Sequence, residues 1–364
     1  MAQIAKLPSI LVLEDGTVFH GTSIGKIGTT TGEICFNTGL TGYQEIFTDP
    51  SYFGQILVAT VDHIGNYGIS DEDIESDSIK IAGLVCKNFA HFYSRSKAKY
   101  SIHEYFTEQN LVGIADVDTR QLVRYIRQKG AMNAIISSEE LDVEVLKKRV
   151  KEIPSMHGLE LASKVSTSEA YELGLENPGK KVAVLDLGLK QNILRCLLDR
   201  GLKLKVFPAK TSYAEMAAWN PDGFMLTNGP GDPASMPYAV DTVKEILSNN
   251  HPVFGICMGN QILGRACGLD TFKMFNGHRG LNHPVKNLQT GRCEITSQNH
   301  GFAIENKGLE EAGVEVTHIH LNDNTIAGIR VKGKNAFSVQ YHPESNPGPH
   351  DSRYLFDDFV KSLN

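Results

Sequence analysis

The sequence predicts an α/β protein in two parts. Residues 1–153 read as a mixed α/β domain, and residues 181–364 as a domain built on a mostly parallel sheet flanked by helices. Three observations lead there. A chain of 364 residues suggests two domains, each large enough for its own core. From residue 182 onward, short continuous apolar runs alternate with helix-period stretches, the pattern of strands buried on both faces and joined by right-handed crossovers. Between residues 154 and 180 that order weakens, and Ser, Glu, Pro and Gly break up the apolar pieces as in a linker between domains.

Composition excludes several classes of function. With 41% hydrophobic and 21% charged residues and a net charge of −6, the chain has neither a basic nucleic-acid footprint nor a basic helix for a membrane surface. Six cysteines form no Cys-x-x-Cys pair, so a zinc site or disulfide scaffold is not expected, and a reducing, cytoplasmic compartment fits. No apolar run approaches about 18 residues, so neither a signal peptide nor a membrane span is expected.

The first part opens with strands. Apolar runs on either side of Asp15-Gly16 predict a hairpin, because that dipeptide tolerates the positive φ of a two-residue turn. Residues 36–52 are dense in Gly, Thr and polar aromatics, as a turn-rich connection or a functional loop would be. The acidic run 71–77 lacks the glycine and the final glutamate of a calcium loop and reads as a solvated surface. Asp118, followed three residues later by Gln121, has the form of a capping box. The helix it starts turns Leu122, Val123 and Ile126 inward and carries Arg120, Arg124 and Arg127 on another face, a solvated stripe or a partner-facing one. Residues 138–150 read as an amphipathic surface helix.

In the second part, residues 182–187, 204–207, 223–227 and 253–256 read as strands, with helices over 191–201 and 238–247. His318 and His320 alternate on a strand edge and read as surface residues, with no third ligand spaced to make a metal site. Neither a Walker phosphate loop nor a Gly-x-Gly-x-x-Gly fingerprint occurs.

The stretch carrying the chemistry is 253–262. An apolar run ends at Cys257, Gly255 and Gly259 flank it, and a helical pattern follows to Gly268. This is the form of a nucleophile elbow: small residues allow a tight strand-to-helix turn that presents the side chain at its tip beside unpaired N–H groups at the positive end of the helix dipole. A buried structural cysteine is the competing reading. A cysteine nucleophile needs an acid-base group and a carboxylate to orient it. Residues 336–341 read as a strand leading into His342-Pro343-Glu344, where the proline holds the turn extended and sets His342 and Glu344 two apart on one side.

Gly-Ile-Cys-Met-Gly-Asn-Gln at 255–261 together with Tyr-His-Pro-Glu at 341–344 resembles the triad of the class I glutamine amidotransferases. Residues 226–233, with Gly229-Pro230-Gly231, resemble the oxyanion loop of that family, and residues 298–302 its glutamine-holding segment. The resemblance implies Cys257 as nucleophile, His342 as general base and acid, and Glu344 as its orienter. It further implies an oxyanion hole from the Gly229 and Met258 N–H groups, and glutamine contacts from Gly231, Gln261, Asn299, Gly301 and Phe302. The residue after the elbow glycine is usually His in that family and here is Asn260, which lies outside the triad. Residues 36–52, 63–68 and 112–120 resemble the small subunit of carbamoyl phosphate synthetase. That likeness implies that Ser51 reaches the glutamine site, that the partner is the large synthetase subunit, and that ATP and Mg2+ act in that partner while this chain holds no cofactor and no metal. A stand-alone γ-glutamyl cysteine hydrolase, an amidotransferase for another acceptor and an inactive binding subunit remain the alternatives.

Overall fold

The computed structural model describes residues 6–363, which divide after Met156 into two compact units. Among the described residues, no helix is long and apolar enough to cross a membrane.

The first unit is a closed barrel of seven strands. Around the barrel these are Pro8–Leu13, Val18–Gly25, Val112–Ala115, Gly83–Val85, Gln55–Ala59, Thr29–Asn37 and Asn133–Ser137, the last pairing back to the first. The expected hairpin is present, with Val12 opposite Val18 across the Asp15-Gly16 turn. Closure was not legible in the sequence. It arises because Gln55–Ala59 pairs in parallel with both Thr29–Asn37 and Gly83–Val85, contacts set by long connections rather than by a turn. Asp118 caps the helix Thr119–Lys129 by accepting the Gln121 N–H at 2.9 Å, and Leu122 and Ile126 are buried beneath it. Arg120, Arg124 and Arg127 on the other face are exposed.

The helix expected over 138–150 is shorter, Val143–Val150. The strand before it runs to Ser137, and Asp142 caps the helix by accepting the N–H groups of Glu144 and Val145, so residues 138–142 are a loop. The acidic run meets bases instead of a cation: Asp71 pairs with Lys99, Glu72 with Lys97, Asp73 with Arg95 and Asp77 with Lys80.

The second unit holds one ten-stranded sheet. Its parallel centre is Lys203–Pro208, Lys181–Asp186, Gly223–Leu226, Val253–Ile256 and Ala336–Val339. Val182 and Val184 pack on one face with Ile193, Leu197, Phe356 and Phe359 from the helices Gln191–Leu198 and Tyr354–Ser362. Ala183 and Leu185 pack on the other with Val243, Ile246, Ile262 and Leu263 from Pro237–Ser248 and Met258–Ala266. Burial on both faces is why these strands read as unbroken apolar runs.

The sheet is parallel only in that centre. Ile326–Val331, Val314–His320, Thr271–Asn287 and Cys293–Ile304 extend it antiparallel on one side. On the other side Tyr171–Leu173 adds an edge strand, so the stretch 154–180 contributes this strand and the short helix Ala162–Val165 to the unit. His318 and His320, expected at the surface, are 4% and 1% exposed, because Thr271–Asn287 pairs directly over their strand.

Candidate active site

The parallel strands deliver the site residues at their carboxyl ends, where an open α/β sheet gathers reactive groups. Val253–Ile256 ends at Cys257, whose backbone takes φ 56°, ψ −100° and caps the helix Met258–Ala266. A positive φ on a residue with a Cβ costs on the order of 1–3 kcal/mol and persists only where the surroundings enforce it. Here they do. The Cys257 N–H donates to the Val339 carbonyl at 2.8 Å, and the Gly259 N–H to the Thr227 carbonyl at 2.9 Å. A Cβ on Gly255 would stand 2.7 Å from the Gly259 oxygen, and one on Gly259 2.3 Å from the Leu226 oxygen. The glycines flanking the cysteine are thus a packing requirement of the turn.

The next strand of the sheet, Ala336–Val339, leads to His342, which is 2% exposed, and to fully buried Glu344. His342 Nδ1 lies 2.8 Å from Glu344 Oε1, so Nδ1 carries the proton that the carboxylate accepts. Nε2 has no conventional hydrogen-bond partner, while the Cys257 sulfur is close enough to act on the ring's charge. Burial and the Lys190 ammonium oppose protonation of His342, but the Glu344 carboxylate and then the Cys257 sulfur outweigh them and raise the imidazole's pKa to about 10. Burial likewise opposes the Glu344 charge, and Lys190 and His342 overcome it, bringing that carboxyl down to about 2.

Lys190 is the residue the sequence reading missed. Its ammonium, 8% exposed, sits 2.8 Å from Glu344 Oε1. It follows Lys181–Asp186 in a turn held by Asp186, whose Oδ1 accepts the Gly188 and Leu189 N–H groups at 2.9 and 2.8 Å. Asn192, at the start of the following helix, donates to the Glu344 carbonyl. The one available signal was position: Lys190 lies just past the carboxyl end of a strand buried on both faces.

Two further segments close around the cysteine. The loop Thr227 to Gly231 is pinned from both sides. The Leu187 N–H donates to Thr227 Oγ1 at 2.9 Å and the Lys190 N–H to Asn228 Oδ1 at 3.0 Å. Gly229 runs so close to Leu187 that a Cβ there would lie 2.0 Å from the Leu187 oxygen. Gly231 bridges to Glu160. The N–H groups of a helix's first turn have no intrahelical acceptor. With Gly259 committed to Thr227, the Met258 N–H is the one left beside the Cys257 side chain.

Cys293–Ile304 supplies the other wall. The Cys257 sulfur lies 3.6 Å from the Asn299 carbonyl oxygen. Gln261 donates to the Phe302 carbonyl at 2.8 Å and to Gln340 at 3.1 Å, tying the elbow helix to this strand. Phe302 is buried with Lys273 Nζ 5.1 Å above its ring, and Gly301 leaves room for Arg279, whose Nη2 would be 3.3 Å from a Cβ there. Ser51 lies in the first unit, in the turn Pro50–Tyr52, where its N–H donates to Asp49 Oδ1 at 2.9 Å.

Asn260 is fully buried. It accepts from Ser338 Oγ at 2.9 Å and donates to Gln340 Oε1 at 3.3 Å, so it fastens the elbow helix to the central strand beneath it. Its side chain is spent on the sheet.

Comparison with known proteins agrees along the chain. The family model for glutamine amidotransferase class-I matches residues 183–362, and that for the carbamoyl-phosphate synthase small chain, CPSase domain, matches residues 11–136. The carbamoyl phosphate synthase small chain of Chlorobaculum tepidum is 49% identical over 98% of both chains. Those of Vibrio parahaemolyticus and Aquifex aeolicus are each 48% identical, over 98% and 97% of this chain and 98% of their own.

Proposed function

This chain belongs to the carbamoyl phosphate synthase small-chain family, and we propose that it hydrolyses glutamine through Cys257, His342 and Glu344 and passes the ammonia to a large synthetase subunit. The observation that carries the reading is the buried row Lys190, Glu344, His342 running up to a cysteine at the tip of a strand-to-helix turn. In such a row the carboxylate favours an imidazolium beside a sulfur nucleophile, while the ammonium keeps that carboxylate charged.

In this mechanism the Cys257 thiol proton passes to His342 Nε2, and the thiolate attacks the side-chain carboxamide carbon of glutamine. The charge that develops on the amide oxygen is met by the Gly229 and Met258 N–H groups, fixed in place before the reaction begins. As the C–N bond breaks, His342 gives its Nε2 proton to the departing nitrogen and ammonia leaves a thioester. Neutral His342 then takes a proton from water, the hydroxide adds to the thioester carbon, and glutamate departs as the sulfur is released. Gly231, Gln261, Asn299, Gly301 and Phe302 shape the substrate pocket, and Glu344, itself held by Lys190, keeps the His342 ring in the tautomer that leaves Nε2 facing the sulfur. Nothing in these steps calls for a cofactor in this chain. ATP and Mg2+ belong to the proposed partner, which would use the ammonia with bicarbonate. Free ammonia is largely protonated near neutral pH and so not nucleophilic, which is why the proposal includes direct delivery.

The test is glutamate release by the purified chain, alone and with a carbamoyl phosphate synthetase large subunit, ATP and bicarbonate. Slow release that accelerates with the partner and yields carbamoyl phosphate is expected. Fast release indifferent to the partner would leave a hydrolase and remove the delivery step.

The electrostatics add a pH prediction. Glu344 raises the His342 pKa, so removing its charge lowers it, and the imidazolium is lost at lower pH. Glu344→Gln should therefore move the alkaline limb of the kcat/KM profile for glutamine down by roughly 1–3 pH units, the span an opposite charge in contact produces. An alkaline limb that stays in place would show that Glu344 does not set the His342 charge.

A further inference from the structure

The antiparallel arm of the second unit gathers imidazoles that the triad does not use. His278 and His283 come from Thr271–Asn287 and His320 from the end of Val314–His320, where Val285 lies opposite His320. The turn after that strand returns Asp323 to them. His278 Nε2 lies 2.8 Å from Asp323 Oδ2, and His320 Nδ1 lies 3.3 Å from Asp323 Oδ1. The candidate ligand atoms of these three side chains all lie within 4.8 Å of one another. The His278 and His320 rings stack at 4.0 Å, and His283 Nδ1 is 3.0 Å from His320 Nε2.

The hydrogen bonds fix the tautomer of His320. Its Nδ1 accepts the Asn322 N–H at 3.2 Å, so the ring proton is on Nε2 and is donated to His283. His320 Nδ1 and Asp323 Oδ1 are then two acceptors 3.3 Å apart, an arrangement that a cation between them would relieve. Two imidazoles with one carboxylate suit a borderline divalent ion of the zinc type far better than magnesium or calcium, which seek oxygen.

We propose that His278, His320 and Asp323 bind a divalent transition-metal ion of the zinc class, with His283 orienting His320 through its Nε2–H. Two imidazoles and a carboxylate leave one position of a tetrahedron open, and Asp323, 38% exposed, marks the side facing solvent. The bond from His320 to His283 is the outer support that metal-bound imidazoles commonly have. Spacing along one strand could not reveal this grouping, because His278 comes from a different strand and Asp323 from a turn.

The test is Co2+ titration of the full chain after chelator treatment, read by visible absorption, with Zn2+ competition. One equivalent should bind with the comparatively strong visible d–d bands of tetrahedral Co2+ and no thiolate-to-metal charge-transfer band. That binding should survive in Cys257→Ser, vanish in Asp323→Asn and His320→Asn, and weaken by roughly 10–100-fold in His283→Gln, the usual cost of losing an outer support. Asp323 is partly exposed, so its variant tests ligation with least risk to folding, and thermal unfolding with and without Zn2+ should show a stabilisation that only the wild type and Cys257→Ser share. The proposal is overturned by a thiolate charge-transfer band that disappears in Cys257→Ser, by undiminished binding in Asp323→Asn and His320→Asn, or by no binding to the wild type.

Discussion

Cys257→Ser is expected to lower glutamine-dependent carbamoyl phosphate formation by at least about 10^4-fold, the scale on which losing a nucleophile acts, while synthesis from added ammonia by the same complex continues. The separation follows from the chemistry assigned to each partner. The sulfur is needed only to break the carboxamide, and a serine hydroxyl beside an imidazolium cannot be deprotonated by it. The replacement is nearly isosteric, so the elbow should keep its φ of 56° and the chain its unfolding midpoint. Loss of both activities would mean that Cys257 supports the complex as a whole, and the proposed division of labour would fall.

Gly229→Ala is expected to be the next most damaging single change. Its Cβ would stand 2.0 Å from the Leu187 oxygen, a distance no rotamer can relieve because a Cβ has none. The loop must move, yet Thr227 and Asn228 are tied to Leu187 and Lys190 on one side, and the Thr227 carbonyl is tied to Gly259 on the other. The displacement therefore falls on the segment that aims the Gly229 N–H. Losing one oxyanion donor costs on the order of 10^2–10^3 in kcat, so glutamine hydrolysis should drop by that factor with a smaller change in KM. Ammonia-dependent synthesis and circular dichroism distinguish this from unfolding. Activity within about twofold of wild type would exclude the Gly229 N–H as an oxyanion donor.

The residues that could be read in the sequence are those whose local chain conformation demands an unusual residue type. Gly255 and Gly259 around Cys257, Gly229 before Pro230, the Asp15-Gly16 turn and the Asp118 cap each announce a backbone requirement satisfied within a few positions. Lys190 offers only its position, which says little because a lysine after a strand is ordinarily solvated, and its ion pair with Glu344 exists only once the strands on which the two residues depend lie in one sheet. Asn260 belongs to the same class. Its amide works beneath the helix, against Ser338 and Gln340, which no spacing rule connects to it. The antiparallel arm hid for another reason. Thr271–Asn287 runs for 17 residues through His, Asn, Gly and Pro, with register shifts that break the two-residue period a half-buried strand would show.

The place of Ala336–Val339 in the sheet bears on how this unit is made. The last strand in sequence lies between Val253–Ile256 and Ile326–Val331, at the seam between the parallel centre and the antiparallel arm. During synthesis everything on either side of that seam emerges first, with a gap where the sheet must join and an exposed strand edge on each margin of the gap. The segment that fills the gap also brings His342 and Glu344 to Cys257. A chain released before it would leave its two sheet edges open to pairing with other chains, and would carry the thiol without its acid-base partner. Completion of the sheet and completion of the proposed reactive group are therefore one event.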